Sequence, residues 1–221
     1  GLEERALKSG ASKFYCVDIR KEFIEEYIYP MAMCNALYEG KYMLGTSIAR
    51  PIQAKTQVEY ALKENCDALS HGCTGKGNDQ VRFELTYKAL APHLKVIAPW
   101  RIWDIKSRED AISYAEKHGI DLGKISRTKI YSRDRNIWHI SHEGGELEDL
   151  INRPNEEMYT LTKSPKDAPD KETEITIGFE KGIPTEINGK KMNGIELLTA
   201  LNKFGSENGI GRSDIVENRL V

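Results

Sequence analysis

Ser70-His71-Gly72-Cys73-Thr74-Gly75-Lys76-Gly77-Asn78-Asp79-Gln80-Val81-Arg82-Phe83-Glu84-Leu85 sets three glycines, a lysine, an Asn-Asp pair and an arginine between a short apolar run and a helical pattern. Such a turn can present bare backbone N–H groups, a helix N-terminus and several charged side chains to an anionic ligand. It matches neither of the common nucleotide loops. A Walker loop places four residues between its first glycine and its Gly-Lys-Ser/Thr, whereas two residues separate Gly72 from Gly75-Lys76, and Gly77 follows. The dinucleotide pattern also fails, because Gln80 stands where a third glycine should follow Gly75-x-Gly77. The residues point to phosphate or carboxylate binding by an uncommon loop. The plain alternative is a glycine-rich connector ahead of an ordinary helix.

Outward from this loop, short apolar runs alternate with helical patterns. Ala68-Leu69-Ser70-His71 reads as a strand feeding the loop, and Asn78 to Ala89 as a helix with Val81, Leu85 and Ala89 on its inner face. Lys95-Val96-Ile97-Ala98-Pro99 reads as another strand, followed by a helix from about Ser107 to His118 that ends at Gly119. Upstream, Phe14-Tyr15-Cys16-Val17 reads as a buried strand. A helix begins near Ser47 to Pro51, with Pro51 in its first turn and Val58, Ala61 and Leu62 on one face. Strand, loop and helix repeated in this way predict an α/β fold, a parallel sheet with helices on both faces. In open sheets of this kind ligands lie outside the carboxyl ends of the strands, where the glycine loop falls.

After Gly119 the pattern changes. Residues 121–173 read as irregular and polar, punctuated by Pro154, Pro165 and Pro169. Two antiparallel strands are expected at Glu174 to Phe179 and Ile183 to Ile187, turning at Lys181-Gly182, with a second turn at Asn188-Gly189. Gly194 to Phe204 reads as an amphipathic helix closed by Gly205. The expected organisation is a nucleotide-binding domain over 1–121 and the beginning of an α+β substrate domain over 122–221.

Composition narrows the function classes. The chain has 221 residues, 39% apolar content and a net charge of −2, which gives no electrostatic reason to expect nucleic acid or an acidic membrane as a partner. No apolar run approaches bilayer-spanning length, and Gly1-Leu2-Glu3-Glu4-Arg5 does not read as a signal peptide. Cys16, Cys34, Cys66 and Cys73 show no Cys-x-x-Cys spacing, a usage that suits a reducing cytoplasm better than disulfides or zinc. Cys73 lies in the glycine loop without a clear His or acid constellation to make it a nucleophile.

His71-Gly72-Cys73-Thr74-Gly75-Lys76-Gly77-Asn78-Asp79-Gln80-Val81-Arg82-Phe83-Glu84 resembles the argininosuccinate synthase family, ATP-dependent enzymes that join citrulline to aspartate. Ala36-Leu37-Tyr38-Glu39-Gly40-Lys41-Tyr42-Met43-Leu44-Gly45-Thr46-Ser47-Ile48-Ala49-Arg50-Pro51 is similar to the family's citrulline segment. Leu90-Ala91-Pro92, Lys95-Val96-Ile97-Ala98-Pro99-Trp100-Arg101 and Asp214-Ile215-Val216-Glu217-Asn218-Arg219 follow in family order. The resemblance implies an adenine-nucleotide α-hydrolase-like domain followed by part of a synthetase domain. It implies attack of the citrulline ureido oxygen on the α-phosphate of ATP, then displacement of AMP by the aspartate amine.

By the same resemblance, citrulline is contacted by Tyr42, Ser47, Asn78, Arg82, Ser132, Ser141 and Glu217. Aspartate is contacted by Thr74, Asn78 and Asp79, and ATP by Gly72 within a backbone stretch Gly72 to Gly77. ATP enters as substrate with Mg2+, and the complete enzyme is a cytoplasmic homotetramer of arginine biosynthesis or the urea cycle. Plain readings stand beside these roles. Asp79–Arg82 could be a surface ion pair, Tyr42 a packed aromatic and Ser47 a helix N-cap. Lys76 suits a phosphate or solvent equally, Asp134 reads as loop solvation beside Arg133, His71 as a packed strand-end histidine, and His142 carries no assignment. The 221 residues hold neither the family's Ser-Gly-Gly-x-Asp-Thr-Ser pyrophosphate loop nor a tyrosine after Glu217. The expectation is therefore an internal piece of the enzyme, inactive alone. The alternative is a ligand-binding fragment that keeps the citrulline and aspartate half-sites.

Overall fold

The computed structural model of the chain describes residues 1–74, 77–105, 108–120 and 131–217. Its α-helices are α1 (Leu2–Lys8), α2 (Arg20–Glu22), α3 (Tyr29–Met33), α4 (Gly45–Lys63), α5 (Asn78–Leu90), α6 (Arg108–Lys117) and α7 (Gly194–Glu207). Its strands are β1 (Ala68–Ser70), β2 (Lys95–Ile97), β3 (Ser132–Arg135), β4 (Ile140–Glu143), β5 (Ile177–Glu180), β6 (Ile183–Ile187) and β7 (Lys190–Lys191). They form two compact units. The first is Gly1–Asp18 with Arg50–Lys129, and the second is Ile19–Ala49 with Ile130–Val221.

In the first unit β1 and β2 pair in parallel, with Leu69 opposite Val96, and His71 N–H extends the ladder to the Ile97 carbonyl at 3.3 Å. Ala54, Val58 and Ala61 of α4 close on Leu69, Tyr87 and Ala91, flanked by Phe83, Leu94 and Val96. The parallel pairing and the strand–loop–helix order are those expected from the sequence. Helix α6 ends as anticipated at Gly119, in a Schellman closure. Ile120 N–H reaches the Ala115 carbonyl, Gly119 N–H reaches that of Glu116, and Gly119 takes φ +65°.

Three expectations for this unit are corrected. Helix α5 does not bury Val81, Leu85 and Ala89; Val81 is 47% and Leu85 65% exposed, while Tyr87 is 1%. Phe83 and Tyr87 lie four apart and carry far more apolar area, so their stripe turns inward instead. Phe14 to Val17 is not a buried strand. Tyr15 and Val17 are exposed, and among the described residues no strand pairs with the run, which leaves its backbone without a ladder. Pro51 lies inside α4 and not in its first turn, because the helix already starts at Gly45.

In the second unit β5, β6 and β7 form an antiparallel meander. Lys181-Gly182 and Asn188-Gly189 make the expected tight turns, each with both residues at positive φ, as two-residue hairpins with native twist require. Helix α7 packs on β6 and on the helical run from α2 to α3. Between α2 and α3 the chain widens to a π-helix, Phe23–Ile28, which buries Phe23, Ile24 and Ile28. The wider turn accommodates Pro30, whose ring would clash with the carbonyl of Glu26 in a regular α-helix. Helix α7 opens with a capping box between Asn193 and Glu196 and buries Leu197 and Leu198.

Gly205 does not close α7. The helix runs through it, and closure falls to Gly209 at φ +65°, with Ile210 N–H bonded to the Gly205 carbonyl. A second correction concerns 131–143, expected to be irregular. It forms the antiparallel hairpin β3–β4, with Ser132 opposite Glu143 and Asp134 opposite Ser141. Ser-Arg-Asp-Arg and Ile-Ser-His-Glu carry too little apolar alternation to signal strands, so the pairing depends on contacts made elsewhere in the unit.

Candidate functional site

In the first unit the carboxyl end of β1 opens into a cavity of about 360 Å³ lined by Arg50, Gln57, Ser70, His71, Gly72, Cys73, Asp79 and Phe83. Two helices shape it. Gln57 of α4 donates to the Ser70 carbonyl at 2.8 Å and accepts from the Tyr87 hydroxyl of α5. Asp79, in the first turn of α5, is held by two guanidinium groups. Arg50 Nε lies 2.9 Å from its Oδ2, and Arg82 Nη1 lies 2.9 Å from its Oδ1. Three-residue spacing on α5 sets the second contact; the first needs the tertiary fold to bring a side chain of α4 to α5. Cations on both sides make this a place where carboxylates or phosphates can be exchanged for Asp79 or shared with it.

Thr74 is placed beside the same helix start, since a Cβ on Gly77 would lie 3.0 Å from its Oγ1. Thr74, Asn78, Asp79 and Arg82 are thus gathered at the N-terminus of α5, with Gly72 on the cavity wall. Gly75 and Lys76 lie outside the described residues, and with them the expected contacts of Lys76.

Behind the cavity wall, buried His71 places Nε2 2.9 Å from Glu84 Oε1, and Glu84 is paired with Arg101 from the turn after β2. His71 also packs against Phe83 and Tyr87. Burial raises the Glu84 carboxyl, and hydrogen bonds from His71 and Arg101 outweigh it, holding the group below the usual carboxylate range. Burial pushes the Cys73 thiol up, and the Asp79 charge adds to that, opposite to what a nucleophilic thiolate requires.

The second unit gathers another set. Tyr42 closes a tight turn through an antiparallel bridge to Tyr38, and its ring lies 5.3 Å from that of His139. Thr46 Oγ1 reaches Asp134 Oδ2 at 3.5 Å, so Asp134 is a strand residue facing the start of α4 and not a loop-solvating acid. Ser132 and Asp134 share a face of β3, and Ser141 lies opposite Asp134, so both serines lie on that same face. Ser47 is in the first turn of α4. Arg133 and His142 pair on the other face, Arg133 Nε donating to His142 Nδ1 at 3.1 Å. Burial lowers the pKa of both His139 and His142, and the Arg133 charge adds to the second.

Glu217 is exposed in the irregular stretch after α7. That stretch is tied down through Arg212, which bonds Thr162 and Glu156 and stacks over the Tyr159 ring at 3.9 Å. Asn218 and Arg219 lie outside the described residues. The residues expected to meet citrulline therefore belong to both units: Asn78 and Arg82 to the first, Tyr42, Ser47, Ser132, Ser141 and Glu217 to the second.

Sequence reading missed Arg50, Glu84 and Arg101 as partners, and Asn136, Trp138 and His139 altogether. No local spacing links residues so far apart along the chain. The only available signal was the dense run of polar and aromatic residues from Arg133 to His142.

A parallel strand pair that opens a charged, glycine-walled cavity at its carboxyl end is the layout of a nucleotide-binding α/β domain. Residues 1–121 match the family model of the Arginosuccinate synthase N-terminal HUP domain, and residues 131–221 that of the Arginosuccinate synthase C-terminal domain. The chain belongs to the argininosuccinate synthase family. Its relatives include the argininosuccinate synthases of Roseiflexus sp. (strain RS-1), 59% identical over 221 residues, and Desulforamulus reducens, 64% identical over 220 residues. Each alignment covers 100% of this chain and 54% or 55% of the relative, so the chain spans about half the length of the curated relatives it matches.

Proposed function

We propose that this chain serves the synthesis of argininosuccinate from citrulline and aspartate with ATP. In the first step the citrulline ureido oxygen attacks the α-phosphorus of ATP, the bond to the β-phosphate oxygen breaks, and pyrophosphate leaves. In the second, the aspartate amine attacks the activated ureido carbon and AMP departs. Holding three charged reactants in line supplies most of the rate enhancement in chemistry of this kind.

Arg82 meets the citrulline carboxylate, for which its planar fork is shaped. Asn78 reaches citrulline and aspartate, Asp79 takes the aspartate ammonium, and Thr74 contacts aspartate through its hydroxyl. Gly72 lies against the nucleotide. Tyr42, Ser47, Ser132 and Ser141 line the rest of the citrulline subsite, and Glu217 takes the citrulline amino group. The observation that carries this reading is the Asp79 carboxylate held between Arg50 and Arg82 on the wall of the β1 cavity. It presents both signs of charge where zwitterionic amino acids must bind.

Mg2+ arrives with the phosphates of ATP; among the described residues no group of three or more His, Cys, Asp or Glu is gathered to hold a metal. Residues 1–121 form the nucleotide-binding domain in this reading, and 122–221 begin the synthetase domain. The complete protein is a cytoplasmic homotetramer of arginine biosynthesis, a role that includes the urea cycle where one operates. Among the described residues no helix is long and apolar enough to cross a membrane.

The test is twofold, on the complete protein. Mass spectrometry should find argininosuccinate from ATP, citrulline and aspartate. Labelled pyrophosphate should exchange into ATP with citrulline present and aspartate absent. Exchange that requires aspartate, or no product at all, would sink the reading.

A further inference from the structure

The start of α4 is held by a turn remote in sequence. The Leu44 carbonyl accepts the first helical bond, from Ile48 N–H at 3.1 Å, so Leu44 occupies the N-cap position. Two things are wrong with it there. Its side chain has no oxygen to cap the orphan donors of the first turn. Its backbone sits at φ +55°, the left-handed region in which an L-residue's Cβ crowds its own carbonyl.

The β3–β4 turn supplies what Leu44 lacks. Gly45 N–H, an orphan donor of the helix, is accepted by His139 Nε2 at 2.9 Å. Asn136 Nδ2 donates to the Gly45 carbonyl at 3.1 Å, and Trp138 Nε1 donates to the Met43 carbonyl at 3.0 Å. Three side chains of one tight turn thus bond backbone groups on both sides of Leu44. The turn is itself rigid. Asn136 Oδ1 accepts from the N–H groups of Trp138 and His139, and Asn136 N–H reaches the His139 carbonyl. Approach this close requires the absence of a side chain at residue 45, since a Cβ on Gly45 would lie 2.4 Å from His139 ring atoms. The same imidazole packs against the Tyr42 ring.

The geometry points to the Asn136–His139 turn as a clasp that holds Leu44 left-handed and so sets the positions of Tyr42 and Ser47 against the serine face of the β3–β4 hairpin. The inference rests on the reading of those residues as citrulline contacts. Asn136, Trp138 and His139 are positioning residues; they act through the segment they hold.

Trp138→Phe deletes one donor and keeps a smaller aromatic ring, and Asn136→Ala deletes the donor to Gly45 and the lock of the turn. In the complete protein each should raise the citrulline KM about fivefold or more, leaving kcat and the KM values for ATP and aspartate near wild type. Glycine adopts φ > 0 without crowding, so in a Leu44→Gly background the same substitutions should change the citrulline KM by less than about twofold. Amide hydrogen exchange over residues 42–47 should quicken in both single variants. A rise shared by all three substrates, a rise undiminished by Leu44→Gly, or unaltered exchange over 42–47 would each overturn the clasp. A wild-type protein that makes no product from citrulline would overturn the citrulline role. The exchange measurement needs no substrate, so it separates that failure from failure of the clasp itself.

Discussion

The backbone N–H of Cys73 donates to Nδ1 of His71 across 3.3 Å, which leaves the imidazole proton on Nε2, 2.9 Å from the Glu84 carboxylate. His71 therefore links the loop after β1 to a carboxylate on α5, and Glu84 carries the link on to Arg101. The histidine is a packed strand-end residue, with a second task in orienting the loop backbone that leads to Thr74.

Removal of Glu84 should expose that dependence. Glu84→Ala leaves the buried His71 N–H without an acceptor, a loss of about 1–3 kcal/mol. Glu84→Gln keeps an oxygen to accept the bond and should cost less. Urea unfolding at neutral pH makes the comparison. Equal stabilities for the two variants would mean that the His71–Glu84 bond contributes nothing.

Arg82→Leu should act on citrulline. Asp79 is also bonded to Arg50, so the start of α5 should remain in place in this variant. Loss of a charge-assisted contact to a bound carboxylate costs about 2–5 kcal/mol in comparable sites, which exceeds a tenfold rise, about 1.4 kcal/mol, in the citrulline KM. ATP saturation should change far less. Citrulline kinetics indistinguishable from wild type would reduce Arg82 to an ion-pair partner of Asp79.

Thr74→Val should act on the other amino acid. The substitution keeps shape and deletes the hydroxyl beside Gly77. Aspartate saturation should suffer while citrulline-dependent pyrophosphate exchange persists. Parallel loss of exchange and overall turnover would argue against an aspartate-specific contact.

Gly45→Ala should destabilise the second unit through His139. Inserting a methyl group into a packed contact typically costs about 1–3 kcal/mol. With the imidazole trimmed, as in His139→Ala, the added methyl should cost much less, a non-additivity that a double-mutant cycle reads directly. Additive losses would show that Gly45 is needed for some other reason.

Acid should weaken the fold in two stages. His139 and His142 have folded pKa values below their ordinary 6.5, chiefly through burial. The unfolded chain then takes up the protons first, so their contribution is present above about pH 6.5 and lost as pH falls from there. Glu84, also lowered from its ordinary 4.5, contributes above that value and is lost at more acid pH. In denaturant titrations, His139→Gln combined with His142→Gln should flatten the first stage and spare the second. An unchanged slope near pH 6 would refute the assignment.

Some of this architecture is legible in short stretches of chain. Asn188-Gly189 dictates a tight hairpin because both residues accept positive φ, Gly182 does so in the Lys181-Gly182 turn, and Gly119 closes α6 for the same reason. Asn193 and Glu196 announce the start of α7 through a capping box that spans four residues. Each is a local interaction, complete within a few residues and present wherever that stretch occurs. The gathering of Thr74, Asn78, Asp79 and Arg82 is nearly as local, since one loop and one helical turn supply all of them.

What tertiary packing decided is different in kind. Whether α5 buries Val81 and Leu85 or Phe83 and Tyr87 depends on the surface it meets, and the aromatic stripe won by area. Arg50 reaches Asp79 only because the fold brings its side chain on α4 to the start of α5. The polar β3–β4 hairpin has little strand signal of its own, and its turn bonds the backbone on either side of Leu44, more than ninety residues away. A left-handed leucine at a helix start would be unfavourable in isolation. It persists because contacts between distant segments outweigh the local cost, and local sequence rules register only the cost.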